Sequence, residues 1–104
     1  MLLLYTITYT ITARHIGVSK EQFKENVVPS LEHINHLIGV FGKHVPVINF
    51  SDDIPYSVKV AVGVSIGKDR ATHFLPLGIA IGELIALELP DCSVRTIADS
   101  FNVG

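Results

Sequence analysis

The residues best suited to chemistry stand where regular patterns of the chain end. Arg14 and His15 follow a long alternating segment, and Asp52 interrupts a second apolar segment. A carboxylate can orient a histidine and raise its basicity, while a nearby arginine can hold an anion. We therefore predict His15 as a general base, Asp52 as its orienting carboxylate and Arg14 as an anion clamp. These residue types are also common in loops, so a purely solvent-exposed role stays open.

A second polar group is expected at the opposite end of the fold, beside the start of a helix. It consists of Lys43, His44, Lys68, Arg70 and His73. Unpaired N–H groups at a helix start favour anions, so a phosphate or carboxylate could bind there. The segment from Gly63 to Lys68 is one residue too short for a phosphate-binding loop, and Asp69 replaces its Ser/Thr. Nucleotide hydrolysis is therefore excluded.

Metal and thiol chemistry find little support. Glu32, His33 and His36 have the spacing of helix-borne ligands, but two weak ligands do not hold a metal. We predict no metal and no cofactor, with these residues on a solvated helix face. Cys92 lies beside Asp91 with no feature that would lower its pKa, which favours an inert thiol.

Composition limits the class of protein. The chain has 104 residues, which predicts a single domain over residues 1–104. Hydrophobic residues make up 48% and charged residues 17%, more apolar than a solitary small domain needs, so we expect a homo-oligomer. The net charge of −2 argues against nucleic acid. One cysteine, no signal peptide and no membrane-spanning segment favour the cytoplasm.

Two segments alternate with a period of two, which is typical of half-buried β-strands. In the first, Leu3, Tyr5, Ile7, Tyr9 and Ile11 oppose Thr6, Thr8, Thr10 and Thr12. In the second, Tyr56, Val58, Val60, Val62, Val64 and Ile66 oppose Ser57, Lys59, Ala61, Gly63 and Ser65. Each strand therefore has one apolar face and one face of small or polar residues.

A helix is predicted between these strands. Ser19 and Gln22 form a capping box, and Gly39 is a natural end. The apolar stripe of this helix is Phe23, Val27, Leu31, Ile34 and Ile38. Because the stripe continues in phase across Pro29, we prefer a kinked helix to two separate helices.

The rest of the chain predicts a hairpin, a second helix and a last strand. Val45 to Phe50 pairs with Tyr56 to Ile66 across a turn. Residues 67–70 break the pattern, and Leu75 to Leu89 forms a helix with Pro76 in its first turn. Ser93 to Phe101 forms the final strand, with its facing undetermined. Gly78, Gly82 and Ala86 make a smooth groove on the second helix, which either another copy or the first helix could fill.

The order β-α-β-β-α-β predicts an α+β, ferredoxin-like fold: a four-stranded antiparallel sheet with both helices on one face. The layout resembles the dimeric α+β barrel proteins, whose sheets pack face to face around small organic ligands, although no motif is shared. The open face is then covered by water or by a second sheet that encloses a cavity. We predict Thr8, Thr10, Gly63 and Ser65 as its ligand-binding residues.

Two functions follow from this fold. The first is binding, with cofactor-free conversion an open alternative, of a small organic molecule against the open face of a homo-oligomer. The second is a non-enzymatic interaction module that docks a protein through the sheet or the second helix. RNA binding is disfavoured, because the tyrosines of the first strand lie on the buried face.

Overall fold

The computed structural model describes residues 2–40 and 44–103, with side chains described at 5–40, 44, 46–64 and 73–98. Six elements alternate along the chain in the predicted order. They are β1 (Leu2–Ala13), α1 (Lys20–Gly39), β2 (His44–Phe50), β3 (Ser57–Gly67), α2 (Lys68–Glu88) and β4 (Cys92–Val103). The two alternating segments of the sequence are thus β1 and β3, as predicted.

All four strands form one antiparallel sheet in the order β2-β3-β1-β4. β1 and β3 are the central pair, with Ile7 opposite Val62 and Tyr9 opposite Val60. β2 is an edge strand beside β3. It contains Pro46, which lies opposite Val62 of β3. This is the predicted ferredoxin-like α+β arrangement.

Both helices cover the apolar face of the central strands. Ile7, Tyr9 and Ile11 are fully buried, and the Tyr9 hydroxyl donates a hydrogen bond of 2.7 Å to the Gly78 carbonyl of α2. Buried valines of β3 continue the same layer: Val58, Val60, Val62 and Val64. The threonines of β1 are partly exposed on the opposite face, as the alternation predicts.

α1 confirms the predicted helix closely. Ser19 caps it, with its side chain accepting from the Gln22 N–H while the Gln22 side chain accepts from the Ser19 N–H. One continuous helix runs through Pro29 to Gly39, so the alternative of two helices is wrong. The whole predicted stripe is buried against the core: Phe23, Val27, Leu31, Ile34 and Ile38.

α2 begins earlier than predicted. The helix starts at Lys68, directly after β3, and Pro76 occupies its ninth position rather than its first turn. Lys68, Arg70 and Ala71 are good helix formers, but they carry no apolar period, so the pattern that marks the helix appears only from Phe74 onward. The predicted break at residues 67–70 is therefore wrong.

The glycines of α2 face the sheet of the same chain. A Cβ at Gly78 would lie 2.1 Å from Cδ1 of Ile7, and one at Gly82 would lie 2.2 Å from Oγ1 of Thr96. β1 and β4 thus fill this groove, so the prediction that α1 or another copy fills it is wrong. Ala86 is exposed, because a spacing of four residues exceeds one helical turn and each step therefore lies further around the helix, away from the sheet.

The side of α2 that faces away from the sheet exposes several large apolar side chains. Exposed fractions are 51% for Ile79, 39% for Leu84 and 80% for Leu87. The glycines bring the backbone of α2 onto the sheet, where Ile81, Ile85 and Leu89 are buried with them, while the exposed apolar side chains lie on the opposite side.

β4 runs beside β1 in a register that fixes its facing. Cys92, Val94 and Thr96 lie on the helix side, opposite Ala13, Ile11 and Tyr9. Ser93, Arg95 and Ile97 consequently lie on the open side. The sequence left this choice undetermined because both sets mix polar and apolar residues.

Candidate functional site

The predicted polar site lies at the sheet end where β1 finishes. The Arg14 N–H donates to the Asp91 carbonyl at 3.0 Å, so the exit of β1 meets the start of β4. Asp52, however, pairs with the Lys20 ammonium at the start of α1. Arg14 and His15 are exposed, and no hydrogen bond joins them to Asp52 within the described residues. Their catalytic role stays a prediction.

Cys92 is a buried free thiol at the same end of the sheet. Burial raises its pKa, the neighbouring Asp91 charge raises it further, and Arg14 acts in the opposite direction. A thiol with a raised pKa stays protonated near neutral pH and is a poor nucleophile. This agrees with the inert thiol expected from the sequence.

The second predicted cluster is only partly within the described residues. Lys43 and the side chains of Lys68 and Arg70 lie outside them, so the anion site that they would form stays a prediction. His73 is exposed. His44 contacts α1, with its Nε2 2.5 Å from Oδ1 of Asn35.

The histidines of α1 are used differently from each other. His33 Nδ1 lies 2.7 Å from Oε2 of Glu88, and the Ser30 hydroxyl donates to the other oxygen of that carboxylate at 3.4 Å. Glu88 therefore links α2 to α1, which corrects the solvated role assigned to His33, while His36 is exposed. Among the side chains that the structure describes, no three of His, Cys, Asp or Glu converge as a metal site would require.

The open face of the sheet carries three of the four predicted ligand-binding residues, Thr8, Thr10 and Gly63, on the central strands. Ser65 belongs to the same face by register, and its side chain lies outside the described set. Each row across the sheet can be read from the register. Thr10 lies between Lys59 and Arg95, and Thr8 lies between Ala61 and Ile97.

A groove between α1 and β2 was not predicted. Its volume is about 310 Å³. The lining residues are Val28, Leu31, Glu32, Ile34, Asn35, Pro46, Ile48, Phe50, Val60 and Val62. Val60 and Val62 are almost wholly buried at its floor, whereas Ile48, which faces the helix side of the sheet, is 46% exposed. α1 therefore does not fully cover the edge strand.

A signal for this groove exists in the sequence, but it is weak. Val28 and Asn35 lie beside the main apolar stripe of α1, on the side toward β2. Pro46, Ile48 and Phe50 alternate along β2, which marks an inward apolar face on a short edge strand. A gap between two apolar surfaces depends on how closely they approach, and periodicity does not determine that distance.

Comparisons with known proteins identify the fold. No family model matches the chain, and no curated protein matches it. One similar solved structure is an amidase of the hydantoinase/carbamoylase family from Burkholderia phymatum, with a TM-score of 0.67 and 11% identity over 95% of this chain. The chain spans 28% of the length of that amidase.

Two designed proteins are similar over nearly their whole length. The de novo designed protein Foldit4 has a TM-score of 0.54 and 12% identity, covering 92% of this chain and 96% of its own. The designed protein LFR1 1, described as having a ferredoxin fold, has a TM-score of 0.51 and 13% identity, covering 97% and 88%. At these identities the likeness concerns the fold, not the activity.

Proposed function

We propose that this chain binds a small apolar organic molecule in the groove between α1 and β2. The observation that carries the proposal is the cavity itself, whose volume of about 310 Å³ lies at the lower end of ligand sites. It would hold about ten water molecules at about 30 Å³ each. Eight of its ten lining residues are apolar, so bound water would find few hydrogen-bond partners.

The polar residues of the groove indicate the ligand's chemistry. Glu32 and Asn35 are the two polar lining residues, and both are exposed at the rim. The Oδ1 of Asn35 is occupied by His44, whereas the Glu32 carboxylate is an available acceptor. No Lys or Arg lines the groove, and the neighbouring Lys24 ammonium lies over the Phe50 ring, 5.1 Å from its centroid. We therefore propose a neutral ligand, or one with a hydroxyl or amine donor, rather than a carboxylate.

Val28→Trp is expected to weaken binding of the neutral fluorescent probe N-phenyl-1-naphthylamine at least tenfold, about 1.4 kcal/mol. Val28 is 42% exposed at the groove, so a larger ring can occupy the cavity without entering the core. The measurement is a fluorescence titration. Val40→Trp is the matched control, because Val40 is 75% exposed and does not line the groove. Equal affinity of the Val28→Trp variant and the wild type would refute the proposal.

The homo-oligomer is a separate proposal, supported by the exposed Ile79, Leu84 and Leu87 of α2. Two charged residues of α2 are adjacent to these leucines in the sequence: Glu83 precedes Leu84, and Glu88 follows Leu87. An apolar face of this kind fits a second copy of the same chain, since a symmetric contact pairs each leucine with an equivalent surface. This observation also favours the interaction-module alternative.

We expect the wild type to be a dimer. Leu87→Lys should weaken this association at least about tenfold, because each buried leucine contributes about 1.5–3 kcal/mol. Light scattering at micromolar concentration gives the mass directly, to be compared with 11.3 kDa for one chain. Ile16→Lys is the control, because Ile16 is 75% exposed in the loop before α1. A monomeric wild type would overturn this proposal without affecting the groove.

No helix in the described part of the chain is long and apolar enough to span a membrane. Enzymatic conversion by Arg14, His15 and Asp52 remains a prediction for the end of the sheet where β1 finishes. The groove itself offers one ionisable lining residue, Glu32, which supports binding as the proposed role.

A further inference from the structure

A row of hydrogen-bond donors crosses the open face of the sheet. Thr10 on β1 lies directly opposite Lys59 on β3 and Arg95 on β4. Asn49 on β2 extends the row on the far side of Lys59. Adjacent strands are about 4.8 Å apart, so the Cα atoms of Lys59 and Arg95 are about 10 Å apart, with Thr10 between them. Their long side chains can reach a single anion above Thr10.

Among the described side chains, these two cations have no acidic partner. Within the described residues, neither Lys59 nor Arg95 takes part in an ion pair. The two ion pairs found there join Lys20 to Asp52 and His33 to Glu88. The register places one acidic residue on the open face, Asp99, opposite Thr6. Asp99 is four residues from Arg95 along the strand, about 13 Å, which exceeds the screening length in physiological salt. Within the described side chains, this row is therefore a positive site without an ion-pair partner, on a protein with net charge −2.

The neighbouring row forms a shallow apolar trough. Its floor consists of Ala61 and Thr8 on the central strands, and its sides are Val47 and Ile97 on the edge strands. Val47 is 52% and Ile97 is 43% exposed. The side residues stand about 14 Å apart across three strand spacings, and the trough lies about 7 Å from the donor row along the strands. A flat ring can lie on this floor.

We propose that the open face binds a planar aromatic carboxylate. The carboxylate accepts from the Lys59 ammonium, the Thr10 hydroxyl and the Arg95 guanidinium, while the ring covers Ala61 and Thr8. The distance of about 7 Å between the rows matches the separation of a carboxylate from the far side of its aromatic ring. Charge complementarity selects this class of ligand for the open face, because Lys59 and Arg95 flank Thr10 there. The proposal is independent of the groove.

Binding of 2-naphthoate, followed by NMR shifts of backbone amides, tests the charged half of the site. Lys59→Gln and Arg95→Gln should each weaken binding about threefold to fivefold, as expected for an exposed ion pair, and rising salt should weaken it further. Lys24→Gln is the matched control, since it removes the same charge from α1 on the other side of the sheet. The neutral analogue 2-naphthalenemethanol should bind less tightly and show no dependence on Lys59.

Thr8→Trp and Thr12→Trp test the position of the ring. Both threonines are partly exposed on the same face, on opposite sides of Thr10. Thr8→Trp should abolish 2-naphthoate binding with an unchanged circular-dichroism spectrum, while Thr12→Trp should retain it. Three results would overturn the proposal: equal loss in Lys24→Gln, undiminished binding in both glutamine variants, or shifts confined to the groove residues Val28 and Ile48.

Discussion

Gly82→Leu is expected to lower the free energy of unfolding by about 2 kcal/mol or more. At this position a Cβ alone would come within 2.2 Å of Thr96 Oγ1 and 3.3 Å of Tyr9 Cε1. Tyr9 is fully buried and hydrogen-bonded to Gly78, so it has little freedom to move. Overpacking typically costs about 1–3 kcal/mol, and a leucine at so close a contact belongs at the upper end.

Helix propensity acts in the opposite direction but is the smaller effect. Replacing a glycine inside a helix with leucine gains about 1 kcal/mol, which offsets part of the steric cost. Ala86→Leu is the matched control, because Ala86 is exposed one turn later on α2 and its replacement should change stability by less than about 0.5 kcal/mol. Urea unfolding followed by circular dichroism measures both. A Gly82→Leu variant as stable as the control would mean that α2 does not pack against β4 as described.

Alkaline pH is expected to destabilise the protein because of Tyr9. Burial raises the pKa of this phenol far above its ordinary value near 10. The folded state therefore keeps the proton while the unfolded chain releases it. Stability attributable to this group is intact below pH about 10 and falls above it, by about 1.4 kcal/mol per pH unit until the folded phenol ionises. The raised pKa of Cys92 adds a loss of the same sign.

Tyr9→Phe separates this effect from general alkaline denaturation. The variant should lose about 1 kcal/mol at neutral pH, the usual net value of one hydrogen bond, because the Gly78 carbonyl loses its donor. Above pH 10 its stability should fall less steeply than that of the wild type. Tyr56→Phe, which removes the same hydroxyl from a half-buried tyrosine, is the matched control. Equal slopes for all three proteins would remove Tyr9 as the cause.

The architecture was predictable because its signals are local and periodic. Alternation determined which face of β1 and β3 is buried, and Ser19 with Gln22 determined where α1 begins. The start of α2 was not predictable in this way. Its first turn is polar, and helix propensity without an apolar period does not determine the first residue of a helix well.

Relations between elements were harder to predict. The spacing of Gly78 and Gly82 indicates close approach of another backbone or side chain, but several surfaces of this fold could make that approach. The sheet does so, through Ile7 and Thr96. Likewise, topology brought Arg14 and the hairpin to one end of the sheet, while the choice of Lys20 as the partner of Asp52 depends on where α1 begins.

Pro46 gives the two edges of the sheet different capacities for growth. A proline has no N–H, so the outer edge of β2 lacks one donor near its centre and cannot template a continuous new strand. β4 has twelve residues and no proline. Strand addition, whether by an extended peptide or during aggregation, is therefore directed to β4, and a variant designed for solubility at high concentration should carry its added proline or lysine there.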